Sequence, residues 1–181
     1  MNAGKLVTLG ILGLALALGL FAWLYHKGRS DRAIDYWGAE NAVRVRRASD
    51  IRLVRLRPWA DGDATREAIT IDGKPWLVED EREITATRGL VHLRQALVEN
   101  TSFDWSRPGP DELLVWDYVL RFRNAPDEPP LEVAIGLDSA CLQCLDGRPT
   151  IGLEIAQGIR AFIQDAISPP EPVVPMNDSP A

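Results

Sequence analysis

The chain reads as an α+β protein: a single N-terminal transmembrane helix, then a small, mostly antiparallel sheet of four or five strands packed with two helices. Three observations predict it. Residues 6–25, LVTLGILGLALALGLFAWLY, carry no charge, and at about 1.5 Å per residue such a helix covers roughly 30 Å, the depth of a hydrocarbon core. Residues 114–123 and 131–138 alternate apolar with polar side chains, the period of a half-buried strand. Residues 84–100 and 153–167 space their apolar side chains three and four apart, as amphipathic helices do. The division that follows is a membrane anchor (1–25), a juxtamembrane linker (26–41), one α+β domain (42–167) and a disordered, proline-rich tail (168–181).

The apolar run competes with a cleavable signal peptide, since Lys5 precedes it and Ala15 and Ala17 resemble a cleavage site. Trp23 and Tyr25, aromatic residues of the kind enriched at membrane interfaces, favour retention. The layout predicts a single-pass membrane protein with its domain exported, on the periplasmic side in a bacterium. The cations Lys27, Arg29 and Arg32 beyond the run argue for the opposite orientation. Gly10, Gly13 and Ala17 fall at helical spacing and suit a homodimer through the membrane helix.

The net charge of −6 is unevenly distributed. Residues 26–60 carry nine Lys and Arg against four Asp and Glu, whereas residues 61–181 carry ten against twenty-two. The basic part lies beside the anchor, where contact with the lipid bilayer is its natural use. The acidic remainder argues against nucleic acid as a partner.

Within residues 42–57 stand six arginines: Arg44, Arg46, Arg47, Arg52, Arg55 and Arg57. Residues 51–57 read as a strand with neither face cleanly apolar. It is either a solvated basic edge or an anion-contacting face for lipid or an acidic partner. Residues 58–63 form a turn. Ile69 to Ile71 and Pro75 to Val78 flank Asp72, Gly73 and Lys74, a hairpin with a glycine-containing turn. The EDERE run at 79–83 reads as a solvated charged stretch. The first helix, 84–100, has Thr85 as its N-cap. The two alternating strands, joined by a seven-residue connection, form an antiparallel pair at the sheet centre.

Cys141 and Cys144 make a CxxC pair, whose readings are a structural disulfide, free thiols, a redox dithiol or half a zinc site. Leu145 to Pro149 leave no room for the helix that lowers the thiol pKa in redox dithiols. Zinc lacks ligands, because only His26 and His92 remain, so no metal and no cofactor is expected. Asp61, Asp63, Thr65 and Glu67 alternate like calcium ligands, but Arg66 stands where the loop needs glycine. His92 has no nucleophile beside it in sequence, and Asp104 with Glu112 is one carboxylate pair among many. No phosphate loop, nucleophile elbow or zinc helix is present. The leading functional expectation is a membrane-anchored, non-enzymatic binding or scaffold domain with a protein or envelope partner. The alternatives are a thiol-dependent redox protein using Cys141 and Cys144, and a hydrolase with a dispersed site.

Overall fold

The computed structural model describes residues 3–60, 67–106 and 114–168. The expected calcium-like turn at 61–66, Glu112 and the proline-rich residues 169–181 lie outside them. Helix α1 (Ala3–Arg47) leads into β1 (Asp50–Pro58), β2 (Ala68–Ile71), β3 (Lys74–Glu83) and α2 (Leu90–Ala96). A 3₁₀ turn (Asn100–Ser102) precedes β4 (Phe103–Asp104), β5 (Tyr118–Arg123), β6 (Leu131–Gly136), β7 (Cys141–Cys144), β8 (Ile151–Leu153) and α3 (Ala156–Ile167). The strands form one eight-stranded antiparallel sheet in the order β2-β3-β1-β5-β6-β7-β8-β4, larger than the four or five strands expected.

The N-terminal segment is helical, but among the described residues no helix is long and apolar enough to cross a membrane. That overturns the single-pass anchor, and the membrane localisation and exported orientation built on it. α1 does not end with the apolar run of residues 6–25: the helix continues to Arg47, and its second half carries charged residues and packs into the core. Within that run Ile11, Leu12, Leu14, Leu16, Leu18, Leu20, Phe21 and Trp23 are exposed.

The expected linker is likewise helix, and its end belongs to the core. Ala33, Tyr36, Trp37, Ala42 and Val45 are all buried. The helix breaks once, at Gly38 (φ 72°, ψ 153°), a conformation that glycine adopts without a Cβ penalty. The Trp37 indole N–H donates to the Leu97 carbonyl at 2.6 Å, and the Arg94 guanidinium donates to the carbonyls of Val45 and Arg46 at the end of α1. A cation on the last free carbonyls of a helix satisfies acceptors that the helix itself leaves open.

The expected antiparallel pair is β5 and β6, with Leu120 opposite Val133, and it does occupy the middle of the sheet. One sheet face carries Ile51, Leu53, Leu120, Phe122, Val133 and Ile135 against the helices. On the other face Val54, Leu56, Val119, Ala134 and Cys141 pack with Ile69, Ile71 and Trp76. The β2–β3 hairpin therefore folds over the sheet it belongs to. Its tip residues Asp72 (φ 51°) and Gly73 (φ 74°) both take left-handed conformations, the requirement of a tight two-residue hairpin turn. From that tip the Asp72 carboxylate accepts a 2.8 Å hydrogen bond from the Gln143 amide on β7. The fold-over is helped by a bulge: Arg55 pairs with Asp80 and Leu56 with Val78, leaving Glu79 as an extra residue, which bends and twists a strand.

Several local expectations change for identifiable reasons. The EDERE run is the second half of β3, held by cross-strand charge: Arg55 meets Glu79 at 3.0 Å and Arg52 meets Glu81 at 3.6 Å. With β3 on one side and β5 on the other, β1 is an interior strand and not a basic edge. The first helix is only Leu90–Ala96, because Gly89 (φ 87°) starts it. Thr85 caps nothing; its hydroxyl accepts the Ile51 N–H at 3.0 Å. Short strands β7 and β8 are buried at every position, so no polar alternation marks them in the sequence.

Candidate binding groove

The two cysteines lie on one strand three positions apart, and side chains alternate across a sheet. Cys144 faces the helices and Cys141 the folded-over hairpin. Both are free and buried. Thiol exchange needs both sulfurs on one accessible side, and here the strand separates them. Burial pushes the Cys144 thiol up to about 12, away from the thiolate that redox chemistry uses.

Cys144 belongs to a buried polar knot that holds α1 on the sheet. Its backbone N–H donates to the Tyr36 hydroxyl at 3.1 Å, and that hydroxyl donates to the Pro149 carbonyl at 3.1 Å. Arg148 donates to the Tyr36 carbonyl and, at 2.8 Å, to Asp146. Burial drives the Asp146 pKa upward, and its hydrogen bonds with Arg148 and Cys144, together with the Arg148 charge, outweigh that to leave it below its ordinary value. Tyr36 also sits in a ring cluster with Trp37, Phe103 and Trp105, centroids 5.4 to 6.5 Å away. Burial raises the Tyr36 phenol above its ordinary 10.0. For both Tyr36 and Cys144 the folded pKa exceeds the unfolded one, so the folded state holds the proton more tightly. Their contribution to stability is complete below the unfolded values and is lost as pH rises through the folded ones. The urea midpoint should fall as pH rises from about 9 to about 12, with Tyr36→Phe and Cys144→Ala each flattening that fall. Neither thiol should react with an aromatic disulfide reagent near neutral pH until the chain is unfolded. Rapid native-state reaction would contradict the burial.

The six arginines singled out in the sequence do not converge. Arg44 pairs with Glu40 and Glu128, Arg52 with Asp50 and Glu81, and Arg55 with Glu79. Arg57 donates to the Pro58 carbonyl at 3.4 Å. The side chains of Arg46 and Arg47 are exposed on the last turn of α1. With three of the six held by acidic neighbours and all six spread over a helix and both faces of β1, they form no single anion-contacting surface. Asp104 accepts from the Ser106 hydroxyl at 2.6 Å. Among the described residues no group of three or more His, Cys, Asp or Glu is placed to hold a metal.

The more favourable arrangement lies between α2 and α3. A half-open groove of about 440 Å³ has Leu93, Ile155, Ile159 and Phe162 along its floor. Arg88 and His92 stand on one wall and Asp165 on the other, all three exposed. Pockets of roughly 300–1,000 Å³ with apolar walls and a few polar groups are the usual form of small-molecule sites. Two glycines shape it. A Cβ at Gly89 would touch Phe162 at 3.6 Å, whereas one at Gly158 would meet nothing within 4 Å. Gly158 therefore leaves room in the groove at the expense of helix propensity. No known protein family matches this chain, and neither a curated protein nor a solved structure does. The groove is thus read from its own chemistry. Its members were individually visible in the sequence, His92 among them. Nothing in the spacing of residues 88–96 and 155–165 joined them into one site.

Proposed function

We propose that this chain is a non-enzymatic binding or scaffold domain whose ligand surface is the groove between α2 and α3. One observation carries the reading: an apolar, half-open groove whose ionisable side chains Arg88, His92 and Asp165 have no hydrogen-bond or ion-pair partner among the described residues. Arg121, Arg148 and Arg160, by contrast, each sit against a carboxylate. Three ionisable groups left open around an apolar floor are a surface available to a ligand. The thiol-dependent and hydrolytic readings gain no comparable support.

Nile red, an uncharged apolar dye, tests this directly. The dye will also bind the exposed apolar residues of α1, so the informative quantity is the difference between two chains. The wild-type protein should show a saturable site that Gly158→Phe removes, with the thermal midpoint of the variant unchanged or raised. Gly158→Ala, which fills little of the groove, should keep the site and add about 0.5–1 kcal/mol of stability. Identical dye isotherms for wild type and Gly158→Phe would overturn the assignment.

A further inference from the structure

We propose that the groove selects a free amino acid with a large apolar side chain, a dipolar ion whose carboxylate meets Arg88 and whose ammonium meets Asp165. The inference rests on the groove being the binding surface.

Gly89 faces the Phe162 ring, which a Cβ at that position would meet at 3.6 Å. Arg88 immediately precedes Gly89, and Asp165 follows Phe162 by three residues, one turn along the same helix face. A cation and an anion therefore flank one contact, and both line the groove. Neither is paired among the described residues. Arg44, Arg52, Arg55, Arg82 and Arg121, by contrast, are each held by a carboxylate.

Charge complementarity then narrows the ligand. A purely anionic amphiphile would bring its charge towards Asp165 as well as Arg88, and a purely cationic one would face Arg88. An α-amino acid carries both charges on adjacent atoms, so one head group answers both walls. The guanidinium suits the carboxylate geometrically, since its fork can donate two parallel hydrogen bonds. His92, three residues beyond Gly89 on α2, offers a second polar contact to the same carboxylate. The side chain of the ligand lies over Leu93, Ile155 and Ile159, in the space that Gly158 leaves open. About 440 Å³ accommodates an aromatic or long aliphatic side chain with its head group.

Titration calorimetry of the full chain with three probes tests the idea: L-phenylalanine, its amide and its N-acetyl derivative. Phenylalanine should bind saturably at one site, with each derivative at least tenfold weaker, because the amide lacks the carboxylate and the acetyl group removes the ammonium charge. Arg88→Gln should weaken phenylalanine at least tenfold and abolish the penalty for the amide. Asp165→Asn should abolish the penalty for the acetyl derivative. Both side chains are exposed, so neither variant threatens the fold. Equal binding of all three probes overturns the inference. So does absent phenylalanine binding alongside a dye site that Gly158→Phe removes, a result that leaves the groove itself standing as a binding surface. Loss of the dye site from the outset would instead remove the groove reading and the selection with it.

Discussion

Alanine in place of Arg121 should destabilise the domain by about 2–4 kcal/mol, because it removes three charge-assisted hydrogen bonds and leaves three carboxylates of a half-buried network without their cation. Arg121 is the hub of such a network. Its side chain is 15% exposed, and it donates to Glu132 at 2.8 Å, Glu67 at 2.9 Å and Glu81 at 3.1 Å. Burial opposes the guanidinium charge, but the hydrogen bonds to Glu67 and Glu132 outweigh it, so its pKa is raised. The three glutamates come from the residue before β2, from β3 and from β6, and Arg121 on β5 ties them together. Without it, three carboxylates converge on a half-buried spot. Denaturant unfolding of Arg121→Ala measures the loss, and Arg121→Met combined with Glu81→Gln and Glu132→Gln should recover most of it. A loss below about 1 kcal/mol would place Arg121 with ordinary surface ion pairs, which are worth that little.

Trp37→Ala should cost about 3–5 kcal/mol, as large aromatic truncations in a core do. Trp37 is 0% exposed and joins α1 to the end of α2 through the bond from its indole to Leu97. Removing it leaves a void between Val45, the helix ends and the sheet, and leaves the Leu97 carbonyl without that donor. Trp37→Phe separates the two effects: the ring stays, the hydrogen bond goes, and the loss should shrink to about 1 kcal/mol plus a small packing term. Hydrogen exchange gives a second readout. Backbone amides from Ala42 to Ala48 should exchange much faster in Trp37→Ala, because that turn of α1 is docked through Trp37 and Arg94. Unchanged protection there would mean that the rest of the interface holds α1 without the tryptophan.

The two predictions concern elements that differ in how much of them the amino-acid order announces. The β5–β6 pair was readable because one face of each strand is uniformly apolar and the connection is short. The hairpin at Asp72 and Gly73 was readable because only a few residue types accept two left-handed conformations in a row. The Arg121 network was not, since its glutamates lie 54, 40 and 11 positions away and twenty-six acids compete for twenty basic residues. The role of Trp37 was hidden for a related reason. Its surroundings are polar enough to read as a linker, and the buried stripe of Ala33, Trp37, Ala42 and Val45 is interrupted by the turn at Gly38.

By itself, then, the order of amino acids determined what depends on neighbours in the chain: the helical character of the N-terminal segment, the central antiparallel pair, the hairpin turn and the amphipathic final helix. Such features follow from backbone sterics and from side-chain period over a few residues. Only the tertiary structure decided the eight-stranded extent of the sheet, the hairpin folded across its second face, the separation of Cys141 from Cys144, and the placing of Arg88 and Asp165 on the two walls of one groove. Each of those depends on contacts between residues distant in sequence, where geometry in three dimensions selects one pairing from many that charge and hydrophobicity alone would allow.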